Sequence, residues 1–183
     1  MLAALPPHSV PTTRRLLEPD AGGRLRADAW FETGALAGLR DRLAELAAVR
    51  LASMGSSRAA RDAWWDALAR HLVERRLDYL LAVVPVALDR EGRVAAALWG
   101  ALEGLVRSPD DVRVVPREAL PFGHRSARPP PLPPEIEELA RRGAWLCGEA
   151  AWDAGSSTAY APFLLPLVRL RSPRLRSFLS RAA

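Results

Sequence analysis

The sequence predicts an all-α fold, an irregular bundle of about five to seven helices with a Pro-rich connecting segment. Three observations carry that prediction. Residues 57–106 hold the densest apolar sequence and repeat large side chains at helical intervals: first Trp64, Leu68 and Leu72, then Val94, Leu98, Ala101, Leu102 and Leu105. Between these two sets, residues 77–88 are interrupted only by Asp78, Tyr79 and Pro85, and Val73, Leu77, Leu80, Leu81 and Val84 continue one helical stripe through them. Finally, the best strand-like piece, residues 112–115, is too short and too isolated to build a sheet.

The elements follow in order. Residues 1–26 read as an irregular N-terminal arm, because Pro6, Pro7, Pro11, Pro19 and the Gly22, Gly23 pair interrupt regular structure; Leu16, Leu17 and Leu25 are its packing residues. Residues 27–119 form a helical core. Its first helix begins near Asp28 or Thr33, carries the stripe Leu36, Leu39, Leu43, Leu46 and Ala47, and stops at Gly55. Gly34 and Gly38 weaken its first turns by roughly 1 kcal/mol each relative to alanine. Ser56 or Ser57 caps a second helix with Trp64, Trp65, Leu68, Leu72 and Val73 on its apolar face. Pro85 disfavours α geometry at Val84, so that helix ends or kinks there. A buried strand over residues 80–88 is the rival reading, set aside because no partner strand follows nearby.

Asp89, Arg90, Glu91 and Gly92 make a turn ahead of a helix over residues 93–106. Residues 120–134 are a Pro-rich linker, in which Pro129, Pro130, Pro131, Pro133 and Pro134 favour extended polyproline II. Residues 135–183 supply C-terminal helices and a basic arm. Pro134 suits the first position of the next helix, with Glu135, Glu137 and Glu138 complementing its positive end. That helix carries Ile136, Leu139, Trp145 and Leu146 and ends by Gly155. Ser172 and Pro173 open a short terminal helix with Leu175, Phe178 and Leu179 on one side.

Composition bounds the partners. The chain has no Lys, Asn or Gln and a single Ile, Ile136, the joint signature of a GC-rich coding sequence, so all 26 basic residues are Arg. The sequence pI of about 10.7 is inflated by that choice and is weak evidence for nucleic acid. Charge distribution says more. After Asp153 the chain holds Arg169, Arg171, Arg174, Arg176 and Arg181 and no acid, so the whole net charge of +5 sits in its last thirty residues. One cysteine, Cys147, cannot close an internal disulfide and fits a reducing compartment. No secretory signal and no apolar run long enough to span a bilayer is visible. The expected location is the cytoplasm, and a membrane surface is not an expected partner.

Catalytic chemistry lacks its parts. Of His8, His71 and His124, only His71 falls in a helical pattern. There Glu74 shares its face and Asp78 follows one turn on, yet no second histidine completes a di-metal site. Ser56, Ser57, Ser156 and Ser157 lack the G-x-S-x-G form and read as caps. Cys147 reads as a buried, inert thiol. No cofactor, metal or enzymatic activity is expected, the His71, Glu74 and Asp78 set being the one weaker enzymatic alternative.

The expected function is a non-enzymatic helical subunit or adaptor of a larger cytoplasmic assembly, docking through a basic and apolar C-terminal arm onto a protein partner. Its candidate contacts are Trp64, Trp65, Phe163, Leu167, Leu175 and Phe178. Adjacent tryptophans on a helix diverge by about 100°, so one face cannot bury both Trp64 and Trp65, and tryptophan is favoured at interface hot spots. The alternative is a small nucleic-acid-binding subunit that contacts phosphates through Arg169, Arg171, Arg174 and Arg176. The sequence does not fix the oligomeric state.

Overall fold

The segment read as the end of a helix is the central strand of a sheet. The computed structural model describes residues 16–17, 19, 22–46, 57–90, 92–121 and 133–170, and over these the fold is mixed α/β, which overturns the all-α expectation. The strands are β1 (Leu16–Leu17), β2 (Phe31–Glu32), β3 (Leu43–Leu46), β4 (Tyr79–Ala87), β5 (Val115–Pro116), β6 (Trp145–Leu146), β7 (Ala151–Asp153) and β8 (Thr158–Pro166). The α-helices are α1 (Arg58–Glu74), α2 (Arg93–Glu103) and α3 (Pro134–Arg142), with a long 3-10 segment at Gly34–Arg42.

Six strands form the main sheet in the order β1-β3-β4-β8-β6, with β7 also paired to β8 beyond β6; β2 and β5 make a separate two-stranded ribbon. β3 and β4 run parallel, with α1 between them in sequence, while the other pairs are antiparallel. The partner that the sequence reading could not find for β4 is β8, paired along its whole length from Tyr79 with Pro166 to Ala87 with Thr158. Leu80 to Val84 are buried on both sides of the sheet, which is why they read as an unbroken apolar run with no alternation.

Three prolines sit inside β4 and β8, and each is placed where a missing N–H costs nothing. The Pro162 carbonyl accepts from the Cys147 N–H at 3.0 Å, so the backbone polar groups of Pro162 face β6 and away from β4. By alternation, Tyr160 and Pro166 also turn away from β4, and Pro85, opposite Tyr160, turns away from β8. Pro85 therefore ends no helix. It occupies a position in β4 that donates nothing to the β8 ladder.

Alternation divides the core in two. Ala44, Leu46, Leu80, Ala82, Val84, Ala161, Phe163 and Leu165 face the helices, meeting Trp65, Leu68 and Leu72 of α1, Leu98 and Leu102 of α2, and Ile136 and Leu139 of α3. Leu43, Leu81, Val83 and Leu164 point the other way, under Leu25, Ala27, Phe31, Leu36 and Val114. The first predicted helix is thus the 3-10 segment Gly34–Arg42 followed by β3, and residues 145–153, also expected to be helical, are β6, β7 and a bulge between them. Residues 115–116 do find a strand partner, in β2.

Helix ends follow sequence signals more closely. The Ser57 hydroxyl accepts from the Ala60 N–H at 3.1 Å and caps α1, and Pro134 is the first residue of α3. Both α1 and α3 close with Schellman motifs. At α3, Gly143 takes φ +96°, and the Ala144 N–H donates to the Leu139 carbonyl at 3.1 Å. At α1 the left-handed position is filled by Arg76 (φ +57°); its N–H donates to Val73 at 2.9 Å, and that of Leu77 donates to Leu72 at 2.8 Å.

An ion cluster ties α3 to α1. The buried Arg142 donates from Nε to Glu138 Oε1 at 2.8 Å and from Nη2 to Asp62, and its guanidinium lies 5.7 Å from the Trp65 ring centroid. Arg141 also pairs with the buried Glu138. Its hydrogen bond to Arg142 holds the Asp62 carboxyl below the usual carboxylate range. The outer side of β6 and β7 is covered by the chain itself: Leu146 exchanges backbone bonds with Val106 and Ser108, Cys147 accepts from Val114, and Trp152 donates to Glu118.

Candidate functional site: an arginine-rimmed cleft

On the sheet face opposite the helices, the cover is irregular, and it leaves an open cleft of about 990 Å³. Arg24, Arg26, Arg40 and Arg117 line it, with Asp28 and Glu32 as its carboxylates and Trp30, Thr33 and Gly34 in its wall. The cleft is organised by two acidic residues that secure the backbone. Asp28 accepts the Leu25 N–H at 2.8 Å and the Thr33 hydroxyl, closing the turn Arg26–Ala29 on itself. Glu45, on β3 beneath the turn, accepts the Arg26 N–H at 2.7 Å and receives Ala27 as well. Only 3% of Glu45 is exposed, and burial pushes its carboxyl above the ordinary value, partly offset by those two N–H groups.

The guanidinium groups are positioned from the same turn. Arg40 donates from Nη2 to Thr33 Oγ1 at 2.8 Å and lies 3.8 Å from Asp28. Arg117 donates from Nε to the Asp28 carbonyl at 2.9 Å, and its own N–H bonds the Trp30 carbonyl at 2.9 Å. Trp30 is in turn stacked on Tyr160 of β8, ring centroids 4.2 Å apart. Among the described residues, neither Arg26 nor Arg117 pairs its side chain with a carboxylate. Arg40 and Arg117 are held in place around a concavity that Arg24 and Arg26 also line, a lining whose donor chemistry suits an anion.

No known protein family, curated protein or solved structure matches this chain. Its function must be read from its own residues.

The contacts expected from the sequence are not brought together. Trp65 and Phe163 are fully buried among the residues between sheet and helices, and Leu167 is 6% exposed, so all three are taken up in packing. Trp64 is half-buried and edge-on to Trp65, with centroids 5.0 Å apart, so the helix buries one indole and lays the other against it. Leu175, Phe178, Arg171, Arg174 and Arg176, and the terminal helix expected to carry them, lie outside the described residues. Arg169 is exposed, its guanidinium 4.9 Å from the Trp145 ring centroid. Trp145 packs into the cluster under the irregular cover, so Arg169 and the cleft share one face of the sheet. Beside it, Val168 is 85% exposed, the most open of the large apolar residues described.

The enzymatic alternative separates likewise. α1 ends at Glu74, so Asp78 is not one helical turn beyond it; Asp78 pairs instead with Arg42 at 2.8 Å. Among the described residues, no three His, Cys, Asp or Glu side chains group as metal ligands. Cys147, in the bulge between β6 and β7, is fully buried with its thiol pushed up to about 12, an inert group at neutral pH. Ser156 caps no helix but donates to Asp153 Oδ2 at 2.6 Å in the β7–β8 turn. No helix among the described residues is long and apolar enough to cross a membrane.

Sequence reasoning missed Arg24, Arg26, Arg40 and Arg117. No periodicity links them, and each comes from a segment read as arm, helix or break. The signal present was indirect: Gly34 and Gly38 argue against a regular helix there, and a non-helical arginine-bearing segment is what covers the face.

Proposed function

We propose that the protein is a non-enzymatic binding subunit of a larger assembly, and that it holds an acidic segment of a protein partner across the irregular face of its sheet. The observation that carries this reading is the arginine-rimmed cleft, in which Thr33 and Asp28 hold the side chain of Arg40, and the Asp28 carbonyl holds that of Arg117, before any partner arrives. Preorganised donors lose little entropy on binding. Arg169, over the Trp145 ring, extends the same face and adds charge. Long-range attraction between such a surface and an acidic segment speeds encounter and falls with ionic strength.

The test is binding of a fluorescent glutamate-rich peptide to the full chain. Affinity should fall steeply with added salt and should drop at least about tenfold in an Arg26→Ser, Arg117→Ser double variant, since each charge-assisted bond contributes about 1.5–3 kcal/mol. Affinity that ignores both salt and the substitutions sinks the proposal. A second reading, binding of nucleic acid through Arg169 and the arginines that follow it in sequence, is favoured by the exposed Arg169 guanidinium lying over the Trp145 ring, a cation beside an aromatic side chain. Tight single-stranded DNA binding, lost in Arg169→Ser and unaffected at Arg26 and Arg117, would select that reading instead.

A further inference from the structure

We propose that the cleft has two states, one with the turn Arg26–Ala29 seated on β3 and one with it released, that the charge on Glu45 sets the balance between them, and that only the seated state presents Arg26 to a partner. The seating of the turn is measurable with no partner present. Its effect on docking rests on the cleft being the docking centre.

Glu45 is an unusual side chain for its position. It pairs with Leu17 of β1 and Leu81 of β4, and it is 3% exposed on the apolar face of the sheet that also carries Leu43 and Leu81. An aliphatic residue there would avoid the cost of taking a carboxylate out of water. The carboxylate instead holds the turn. The first N–H groups of a short helical turn find no acceptor within it. Here the Leu25 N–H donates to Asp28 inside the turn, while the N–H groups of Arg26, at 2.7 Å, and Ala27 donate to Glu45 from a distant strand. Glu45 lines no part of the cleft, yet the turn it holds carries Arg26, Asp28 and Ala29 into the lining.

The same geometry makes the seat sensitive to charge. The turn covers the carboxylate, and Ala27, one of its two donors, is itself 1% exposed. Ionised Glu45 keeps both N–H bonds and the attraction of Arg26, but loss of water outweighs them and lifts its carboxyl above the ordinary value. Asp28 adds to that rise, while β1 and β4 set Leu17 and Leu81 beside Glu45 and no charge. Releasing the turn readmits water, so the released state favours the charged form and the seated state the neutral one. The seated state is therefore favoured most below the ordinary value of 4.5, and progressively less as pH rises through the higher value of the seated carboxyl. The turn belongs to the irregular cover, where opening costs less than unfolding the sheet.

The experiment is native-state amide exchange on the full chain, read residue by residue by NMR at a series of pH values and corrected for intrinsic rates. Opening constants of the Arg26 and Ala27 amides should exceed those of the β4–β8 ladder and should rise with pH through the titration of Glu45. Glu45→Gln keeps an acceptor without the charge and should abolish the rise. Glu45→Leu keeps neither and should raise both opening constants at least about tenfold. Exchange at Arg26 and Ala27 that matches the ladder would mean that the turn opens only with the whole fold, and the native chain alone decides this if a variant does not fold. A rise that persists in Glu45→Gln belongs to another group, Asp28 being the nearest, and overturns the proposal equally. With a glutamate-rich peptide at neutral pH, Glu45→Gln should bind at least as tightly as the native chain and Glu45→Leu about tenfold more weakly. Equal affinity in all three chains overturns the control of docking by the turn. If no chain binds the peptide while the exchange pattern holds, the docking reading falls and the two states of the turn stand.

Discussion

Arg76 offers a direct measurement of what a left-handed residue costs this fold. It occupies the position after α1 that Gly143 fills after α3, in the same hydrogen-bonded closure, yet it carries a Cβ at φ +57°. An L-residue pays about 1–2 kcal/mol for that conformation, while glycine pays nothing in the folded chain. Glycine also loses more freedom on folding, which returns about 0.4–1 kcal/mol to the unfolded state. The difference leaves Arg76→Gly more stable by about 0.5–1 kcal/mol, or about 1–4 °C in Tm for a chain of this size. Arg76→Ala retains the strained conformation and controls for loss of the exposed side chain, so its Tm should stay near that of the native chain. Gly143→Ala should do the reverse of Arg76→Gly and more. Its new Cβ would lie 2.7 Å from the Arg169 carbonyl oxygen in addition to adopting φ +96°, a combined cost of about 2–4 kcal/mol. The assay is urea and thermal unfolding followed by circular dichroism. If Arg76→Gly is no more stable than Arg76→Ala, the Schellman reading of the α1 terminus is refuted.

Glu45 predicts a pH effect of defined sign. Its carboxyl is raised in the folded chain by burial, with Arg26 opposing and Asp28 adding to the shift, so the folded state binds its proton more readily than the unfolded state. The residue's contribution is therefore fully present below the unfolded value of 4.5 and declines as pH rises through the folded value. Glu45→Gln should lose that slope, and its stability relative to the native chain should improve from acidic to neutral pH; the opposite trend in pH-dependent denaturation would contradict this. Glu138→Ala removes the buried partner of Arg142 and should cost about 3–5 kcal/mol, while Glu138→Leu combined with Arg142→Met should recover much of the loss in a double-mutant cycle. Cys147 should react with a thiol reagent no faster than the chain opens, so labelling of the native chain at the rate of an exposed thiol would exclude its burial.

What the sequence announced and what it hid divide along a physical line. Features set by neighbours in the chain were legible: the Ser57 cap, the turn before α2 and proline at the start of α3. Features set by distant partners were not. β4 is sandwiched on both faces, so its residues carry no alternation, and its main partner begins at Thr158. Leu36, Leu39, Leu43 and Leu46 match a helical stripe, but they are divided between a 3-10 segment and β3, and Leu43 and Leu46 face opposite sides of the sheet. Gly143, following Arg141 and Arg142, was a usable sign that α3 stops there and that Trp145 begins something else. The cleft left no such sign, because its arginines converge only when β3 carries the turn Arg26–Ala29 through Glu45 and β5 delivers Arg117.

The position of β8 also sets the order in which the chain can assemble. β8 is the last strand described, yet it sits between β4 and the β6–β7 side of the sheet. On a ribosome, β3, α1 and β4 emerge together and can form a local unit, but the nine residues of β4 then wait with one ladder edge unfilled until Pro166 has left the exit tunnel. The described sheet is thus closed by its last described strand, which must insert rather than add at a margin. Non-local pairing of that kind makes folding slow, and nascent chains stopped before Thr158 should be the ones that chaperones retain or that aggregate through the open edge of β4.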